Sequence, residues 1–110
     1  MSEWEVRYWD EGEKEKGSIE RWLDRLTRDQ LKGVAKELKF LSLCGTDLKL
    51  PHSRALGRGL FELRERRYGY RIYYAFLGNM RVVLLNAGDK GSQTKDISTA
   101  RLRLDELLEK

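Results

Sequence analysis

The sequence predicts an α+β domain in which an antiparallel meander of strands packs against a helical hairpin and is followed by a C-terminal helix. Three observations predict it. Apolar residues recur at helical spacing over 19–41 and again over 97–108. Aromatic, Leu and Val residues fill three short runs between 61 and 86, separated by the turn pairs Tyr68-Gly69 and Gly78-Asn79. A chain of 110 residues suffices for one modest core and is short for two, so a single domain spanning 1–110 is expected.

Taken in order, Trp4, Val6 and Tyr8 alternate with Glu5, Arg7 and Trp9, the period-two pattern of a short edge strand. A charged link from Asp10 to Lys16 follows, the one stretch that reads as loose. Ser18 is placed to cap a helix whose Ile19, Trp22, Leu23 and Leu26 fall at i, i+3, i+4 and i+7. Thr27-x-x-Gln30 has capping-box spacing and opens a second helix, in which Leu31, Val34, Ala35, Leu38 and Leu41 repeat the stripe until Cys44-Gly45. Thr46 to Gly59, with the single proline Pro51, reads as a connecting loop. Strands are expected at 61–66, 70–77 and 81–86, the last apolar on both faces and therefore central. A glycine-rich segment, 88–93, then leads to a helix with Ile97, Ala100, Leu104, Leu107 and Leu108 on one face. The expected order is β-α-α-β-β-β-α.

Charge is not spread evenly. Residues 52 to 81 hold seven arginines, two acids and no lysine, a balance of +5, whereas the flanks have ten basic against eleven acidic and five against five. Arginine interleaved with Tyr and Phe suits a surface that grips phosphates in forks and stacks bases, which points to RNA. Strand parity decides which arginines can act together. With Phe61 and Leu63 turned to the helices, Glu62, Arg64 and Arg66 lie on the opposite face. If Tyr68-Gly69 forms a two-residue turn, Arg67 pairs with Tyr70, Arg66 with Arg71 and Arg64 with Tyr73. One surface then carries Glu62, Arg64, Arg66, Arg71 and Tyr73, with Lys90 at its end. Two like charges opposite each other are unfavourable unless an anion lies between them, which argues for a phosphate. Tyr68 and Tyr73 are the candidates for base stacking; Tyr70, Tyr74 and Phe76 belong to the core. His52, the one histidine, is a weaker candidate for a general base.

The single Cys44, expected to be buried, excludes an internal disulfide and a multi-cysteine metal site, and fits a reducing compartment. No metal or cofactor is expected. No apolar run approaches the roughly 18 residues needed to span a bilayer, so no membrane is expected as partner and the cytoplasm is the expected location.

The run Leu56-Gly57-Arg58-Gly59-Leu60-Phe61-Glu62-Leu63-Arg64, followed by Tyr70-Arg71-Ile72-Tyr73-Tyr74 and by Leu84-Leu85-Asn86-Ala87-Gly88-Asp89-Lys90 with Ser92-Gln93, closely resembles the phage-derived Gp49-like, HigB-type branch of the RelE/ParE toxin superfamily. The resemblance extends over roughly residues 4–108, through the helical hairpin and Leu50-Pro51. It implies a RelE-like, microbial-RNase-type fold and a type II toxin that cuts messenger RNA on the translating ribosome. The implied partner is a cognate antitoxin, often a small helix-turn-helix protein. By the same resemblance Arg71 contacts the scissile phosphate, Arg64 and Lys90 are further basic groups of the site, and Ser92-Gln93 matches a Thr-Gln-like pair. HigB toxins use a histidine near His52. Gly91 replaces a lysine common in this branch, and Asp96 sits near a tyrosine of RelE.

Metal-free cleavage transfers the 2′-hydroxyl onto the adjacent phosphate. It needs a base for that hydroxyl, charge for the phosphorane and an acid for the leaving 5′-oxygen. Arg71 and Arg64 supply charge, Lys90 adds charge or moves a proton, and Glu62 is the candidate base. Arg66, Arg67, Tyr73, Ser92 and Gln93 are expected to bind RNA. Two other readings stand beside this one: a ParE-like toxin that inhibits gyrase by protein contact, and a member that binds RNA or its antitoxin without catalysis.

Overall fold

A computed structural model describes residues 3–109. The elements run β1 (Glu5–Tyr8), α1 (Ser18–Asp24), α2 (Arg28–Cys44), β2 (Ser53–Gly57), β3 (Leu60–Glu65), β4 (Tyr70–Leu77), β5 (Arg81–Asp89) and α3 (Gln93–Leu108). The five strands form one sheet in the order β1-β5-β4-β3-β2, with β1 parallel to β5 and the other pairs antiparallel. Among the described residues, no helix is long and apolar enough to cross a membrane.

The helical hairpin forms where its signals lie. Thr27 accepts a hydrogen bond from the Gln30 amide at 3.2 Å, and the Gln30 side chain accepts from the Thr27 amide at 2.9 Å. That closes the capping box and satisfies two of the donors a helix start leaves open. Helix α2 stops at Cys44, and Gly45 turns the chain with φ of 52°. Helix α1 departs from expectation at its start: Gly17 is the cap and Ser18 the first helical residue, while the Asp10 carboxylate reaches in from the loop to accept from the Ser18 amide at 3.2 Å. Cys44 is exposed rather than buried, because the helix ends with that side chain on its outer face.

Both faces of the sheet are covered. Ile19, Val34 and Leu41 from α1 and α2 pack with Leu63, Ile72, Tyr74, Val82 and Leu84. On the other side Ala100 and Leu104 of α3 pack with Leu60, Tyr73, Ala75, Val83 and Leu85. This explains why β5 is apolar on both faces: four successive side chains from Val82 to Leu85 are buried alternately against the hairpin and against α3. Each contributes about 1.5–3 kcal/mol by leaving water.

Two stretches read as connections are partly regular. Residues 53–57 form β2, an edge strand whose sequence Ser-Arg-Ala-Leu-Gly has no clean alternation because little of it is buried. It is held by the ladder to β3 and by the Ser53 and Tyr74 hydroxyls, which bond to each other. The glycine-rich segment is also shorter as a loop, since β5 runs to Asp89 and a single 3₁₀ turn over Lys90–Ser92 leads into α3. In β5 the register with β4 slips by one residue at Leu85. The Leu85 carbonyl instead accepts from Arg103 of α3 at 2.8 Å, and Asn86 donates from its side chain to the Asp96 carbonyl at 3.1 Å. The bulge thus fastens α3 across the sheet beside Tyr73.

Candidate nucleic-acid interface

The turn between β3 and β4 is four residues long, Arg66 to Gly69, rather than two. Pairing is therefore displaced by two residues from the expected register: Arg64 faces Arg71, Glu62 faces Tyr73 and Glu65 faces Tyr70. A slip of two keeps every side chain on its face. Arg64, Arg71, Glu62 and Tyr73 do share one side of the sheet, but Arg66 and Arg67 belong to the turn.

Arg64 and Arg71 are thus a like-charged cross-strand pair, and Lys90, the first residue after β5, stands beside them. Together with Arg66, Glu65 and Gly69 they line a cleft of about 310 Å³, at the small end of ligand pockets. Arg71 Nη1 donates to the Gly69 carbonyl at 3.2 Å, which fixes its guanidinium at the turn. Beneath the pair lies Glu62, 1 % exposed, with Oε1 3.6 Å from Arg71 Nε and 3.8 Å from Arg64 Nε. Both separations exceed a hydrogen bond, and neither Nε has another partner among the described residues. One carboxylate shared between two guanidiniums leaves net positive charge at the mouth of the cleft.

Glu62 is held in turn by Gln93, whose Nε2 donates to Oε2 at 2.8 Å. Ser92 donates its hydroxyl to the Asp96 carboxylate, and its amide donates to Asp89 Oδ1 at 3.2 Å. Gly88, the residue opposite Arg71 on β5, makes room for this start of α3: a Cβ there would lie 1.9 Å from Asp96 Oδ2. Asp96 is noted in the sequence only for sitting near a tyrosine of RelE, and its bond to Ser92 is not anticipated there. Its position in the first turn of a helix that follows a glycine-rich link is the signal that could have found it.

Several expected roles change accordingly. Glu62, the candidate base expected on the exposed surface, is instead buried behind the guanidiniums, its Oε1 directed at Arg64 and Arg71. Tyr73 is fully buried under α3 and is no stacking platform. Burial, aided by the carboxylates of Glu62 and Asp96, pushes its phenol far above the ordinary value, so the hydroxyl stays protonated; it has no hydrogen-bond partner among the described residues. Ser92 and Gln93 spend their side chains on Asp96 and Glu62 rather than offering them outward. His52 is outside the cleft: its Nδ1 bonds to Glu37 Oε1 of α2 at 2.8 Å, and its ring lies 5.0 Å from that of Phe40. Tyr68 remains available on the turn, half-buried, with the Arg67 guanidinium 5.2 Å from its ring centre. Among the described residues no group of three or more His, Cys, Asp or Glu side chains gathers to hold a metal ion.

With this geometry in view, the chain can be set beside other proteins. A double arginine-to-alanine variant of the E. coli toxin RelE, in its free state, has the same fold, with a TM-score of 0.68 at 13 % identity, covering 94 % of this chain and 98 % of that one. A protein of Haemophilus influenzae described as uncharacterised is 33 % identical over 95 residues, 82 % of this chain and 89 % of its own length. Residues 21–105, which include α2, the arginine pair, Lys90 and the start of α3, match the family of phage-derived Gp49-like proteins, and the chain belongs to that family.

Proposed function

We propose that this chain is the toxin of a type II toxin–antitoxin pair, a metal-independent endoribonuclease that cuts messenger RNA on the ribosome and so arrests translation. Family membership and the fold shared with a protein named as a toxin support the first part. A single observation carries the second: Arg64 and Arg71 oppose each other beside Lys90 in one cleft, with a single buried carboxylate between them. An anion is the missing partner of that arrangement, and a backbone phosphate has the size and the paired oxygens that guanidinium forks accept.

In this reading Arg71 and Arg64 hold the non-bridging oxygens and stabilise the charge that builds on phosphorus as the 2′-oxygen attacks. The P–O5′ bond breaks, leaving a 2′,3′-cyclic phosphate and a 5′-hydroxyl. Lys90 is the group placed to give a proton to the departing oxygen. Of the carboxylates at the cleft, Glu62 is buried and Glu65 is bonded inward to backbone amides. The 2′-hydroxyl proton is therefore assigned to no side chain here and passes to water or to a ribosomal group, and alignment of the 2′-hydroxyl falls to the ribosome. A site that contributes charge without a base fits dependence on the ribosome.

The test replaces Arg71 and Arg64 by alanine. Removing one preorganised donor typically lowers turnover by roughly 10²–10³. The double variant should neither arrest growth on induction nor leave cut transcripts. Retention of both would remove the assigned site. Arrest without cuts, accompanied by loss of supercoiling activity, would move the chain to the gyrase-inhibiting reading. The burial of Glu62 favours one further alternative, a member that binds RNA without cutting it; arrest with intact transcripts and intact gyrase activity would be its mark. The proposed partner is a cognate antitoxin, encoded beside this chain, and the proposed site of action is the cytoplasm.

A further inference from the structure

A second cleft, of about 370 Å³, lies between α2 and the β3–β4 turn. It shares Glu65 and Arg66 with the first, so the turn is a wall with a basic hollow on either side. From α2 it receives Lys32 and Lys36, at i and i+4 on one helix face. Gly33 sits between them. A Cβ at that position would lie 3.3 Å from Glu65 Oε1, so the absence of a side chain lets the turn approach the helix. From the turn come Arg66, Arg67 and Tyr68.

The charges of this cleft are unequally committed. Of its three carboxylates, Glu37 is taken by His52, Glu65 accepts from the backbone amides of Arg67 at 2.7 Å and Tyr68 at 3.0 Å, and Asp29, in the first turn of α2, pairs with none of the cleft's four cations among the described residues. By contrast, Lys32, Lys36, Arg66 and Arg67 have no carboxylate oxygen within 4.0 Å among the described residues. Tyr68 lines the same cleft, its ring flanked by the Arg67 guanidinium and stacked at 29° and 6.2 Å on Tyr70. Uncommitted cations around an aromatic face, continuous with a phosphate-sized pocket, are what a single strand needs to run on from one nucleotide to the next.

We propose that this second cleft binds single-stranded RNA adjacent to the phosphate held by Arg64 and Arg71, with Lys32 and Lys36 on the backbone and Tyr68 stacking a base. The proposal rests on the RNA reading of the first cleft. It is tested with the full chain and 2′-O-methyl RNA, which lacks the attacking hydroxyl, as a fluorescent trinucleotide and a fluorescent dodecanucleotide. The Lys32→Ala/Lys36→Ala variant should bind the dodecanucleotide about tenfold more weakly, with the slope of log affinity against log salt reduced by about 1.4, and bind the trinucleotide as the parent does. Tyr68→Ala should weaken the long oligonucleotide alone, by at least about fivefold. Parental affinity and slope for the long RNA in the lysine variant would overturn the proposal, as would equal loss on both lengths or failure of the parent to bind the long RNA. A hexaglutamate peptide bound in preference to RNA, and lost in the lysine variant, would also overturn it and give the cleft to an acidic protein segment. Arg64→Ala separates the two readings: if it leaves trinucleotide binding intact the first cleft is misassigned, whatever the lysines do.

Discussion

Replacing Glu62 by Gln is the change that most directly separates a positioning carboxylate from a catalytic one. The side chain is 1 % exposed and its Oε1 lies 3.6 Å and 3.8 Å from the two arginine Nε atoms. At an effective dielectric near 20 each attraction amounts to about 4–5 kcal/mol, against a desolvation penalty of several kcal/mol for the buried ion. Removing one member of such a group typically destabilises by about 3–5 kcal/mol, because the remaining charges stay buried without compensation. At roughly 4 °C per kcal/mol for a domain of this size, the melting temperature should fall by about 12–20 °C. The same change should tighten anion binding. With the carboxylate gone, a phosphate between Arg64 and Arg71 meets less repulsion, by on the order of 1 kcal/mol or about fivefold in affinity. Thermal melts followed by circular dichroism in rising inorganic phosphate check both signs at once: the variant starts lower and gains more per addition than the parent. A variant that melts within about 3 °C of the parent and gains nothing from phosphate would refute the argument that Glu62 balances an anion site. Loss of cleavage by about 10² or more, with unchanged melting and binding, would restore Glu62 as the base.

Tyr73→Phe should leave stability within about 1 kcal/mol of the parent, since among the described residues the buried hydroxyl has no hydrogen-bond partner to lose. Its raised phenol also sets a sign with pH. A group whose folded value lies above its unfolded value, here 10.0, stabilises fully below that pH and loses the contribution as pH rises beyond it. Urea titrations above pH 10 should therefore show a shallower loss for Tyr73→Phe than for the parent, and the same dependence below it; a steeper loss would contradict the burial argument. His52→Ala should destabilise by about 1–3 kcal/mol, by stranding the largely buried Glu37 carboxylate, while growth arrest on induction is preserved. Abolished arrest in a variant that still melts cooperatively would bring His52 back into the reaction. Thr27→Ala should cost about 1 kcal/mol through the lost capping box, read as a fall of about 4 °C in the melting temperature. An unchanged melting temperature would show that the cap contributes nothing.

What the sequence could convey depended on how far each signal was local. The capping box at Thr27 and Gln30, the stop at Gly45 and the alternation in β1 and β4 are short-range, and the elements stand where those signals lie. Strand β2 was not legible, because an exposed edge strand is held by its neighbour's ladder and leaves no pattern of its own. Parity survived an error in turn length: a slip of two residues returns each side chain to the same face, so Arg64 and Arg71 were assigned to one surface through the wrong partners. Tyr73 and Glu62 were misjudged for a different reason. Parity gives the side of a sheet and says nothing of what lies over that side; the helix that covers them is linked to the sheet by contacts such as Arg103 to Leu85 and Gln93 to Glu62, eighteen and thirty-one residues apart.

That covering helix also explains how a sheet can hold two guanidiniums face to face. A like-charged pair directly across a ladder is unfavourable by a fraction of a kcal/mol even in water, and more when one member is largely buried, as Arg71 is. Were the arrangement only structural, the simplest relief would be full pairing, each arginine bonded to its own carboxylate. Instead one carboxylate lies slightly too far from both, and is kept there by an amide from α3 at 2.8 Å. The compensation is enough to keep the pair in place and too little to neutralise it. The residual field points into a cleft of about 310 Å³ that a third cation, Lys90, also enters. A phosphate entering that cleft would meet oriented positive charge with little reorganisation left to perform, which is the condition under which electrostatic stabilisation of a phosphorane is largest.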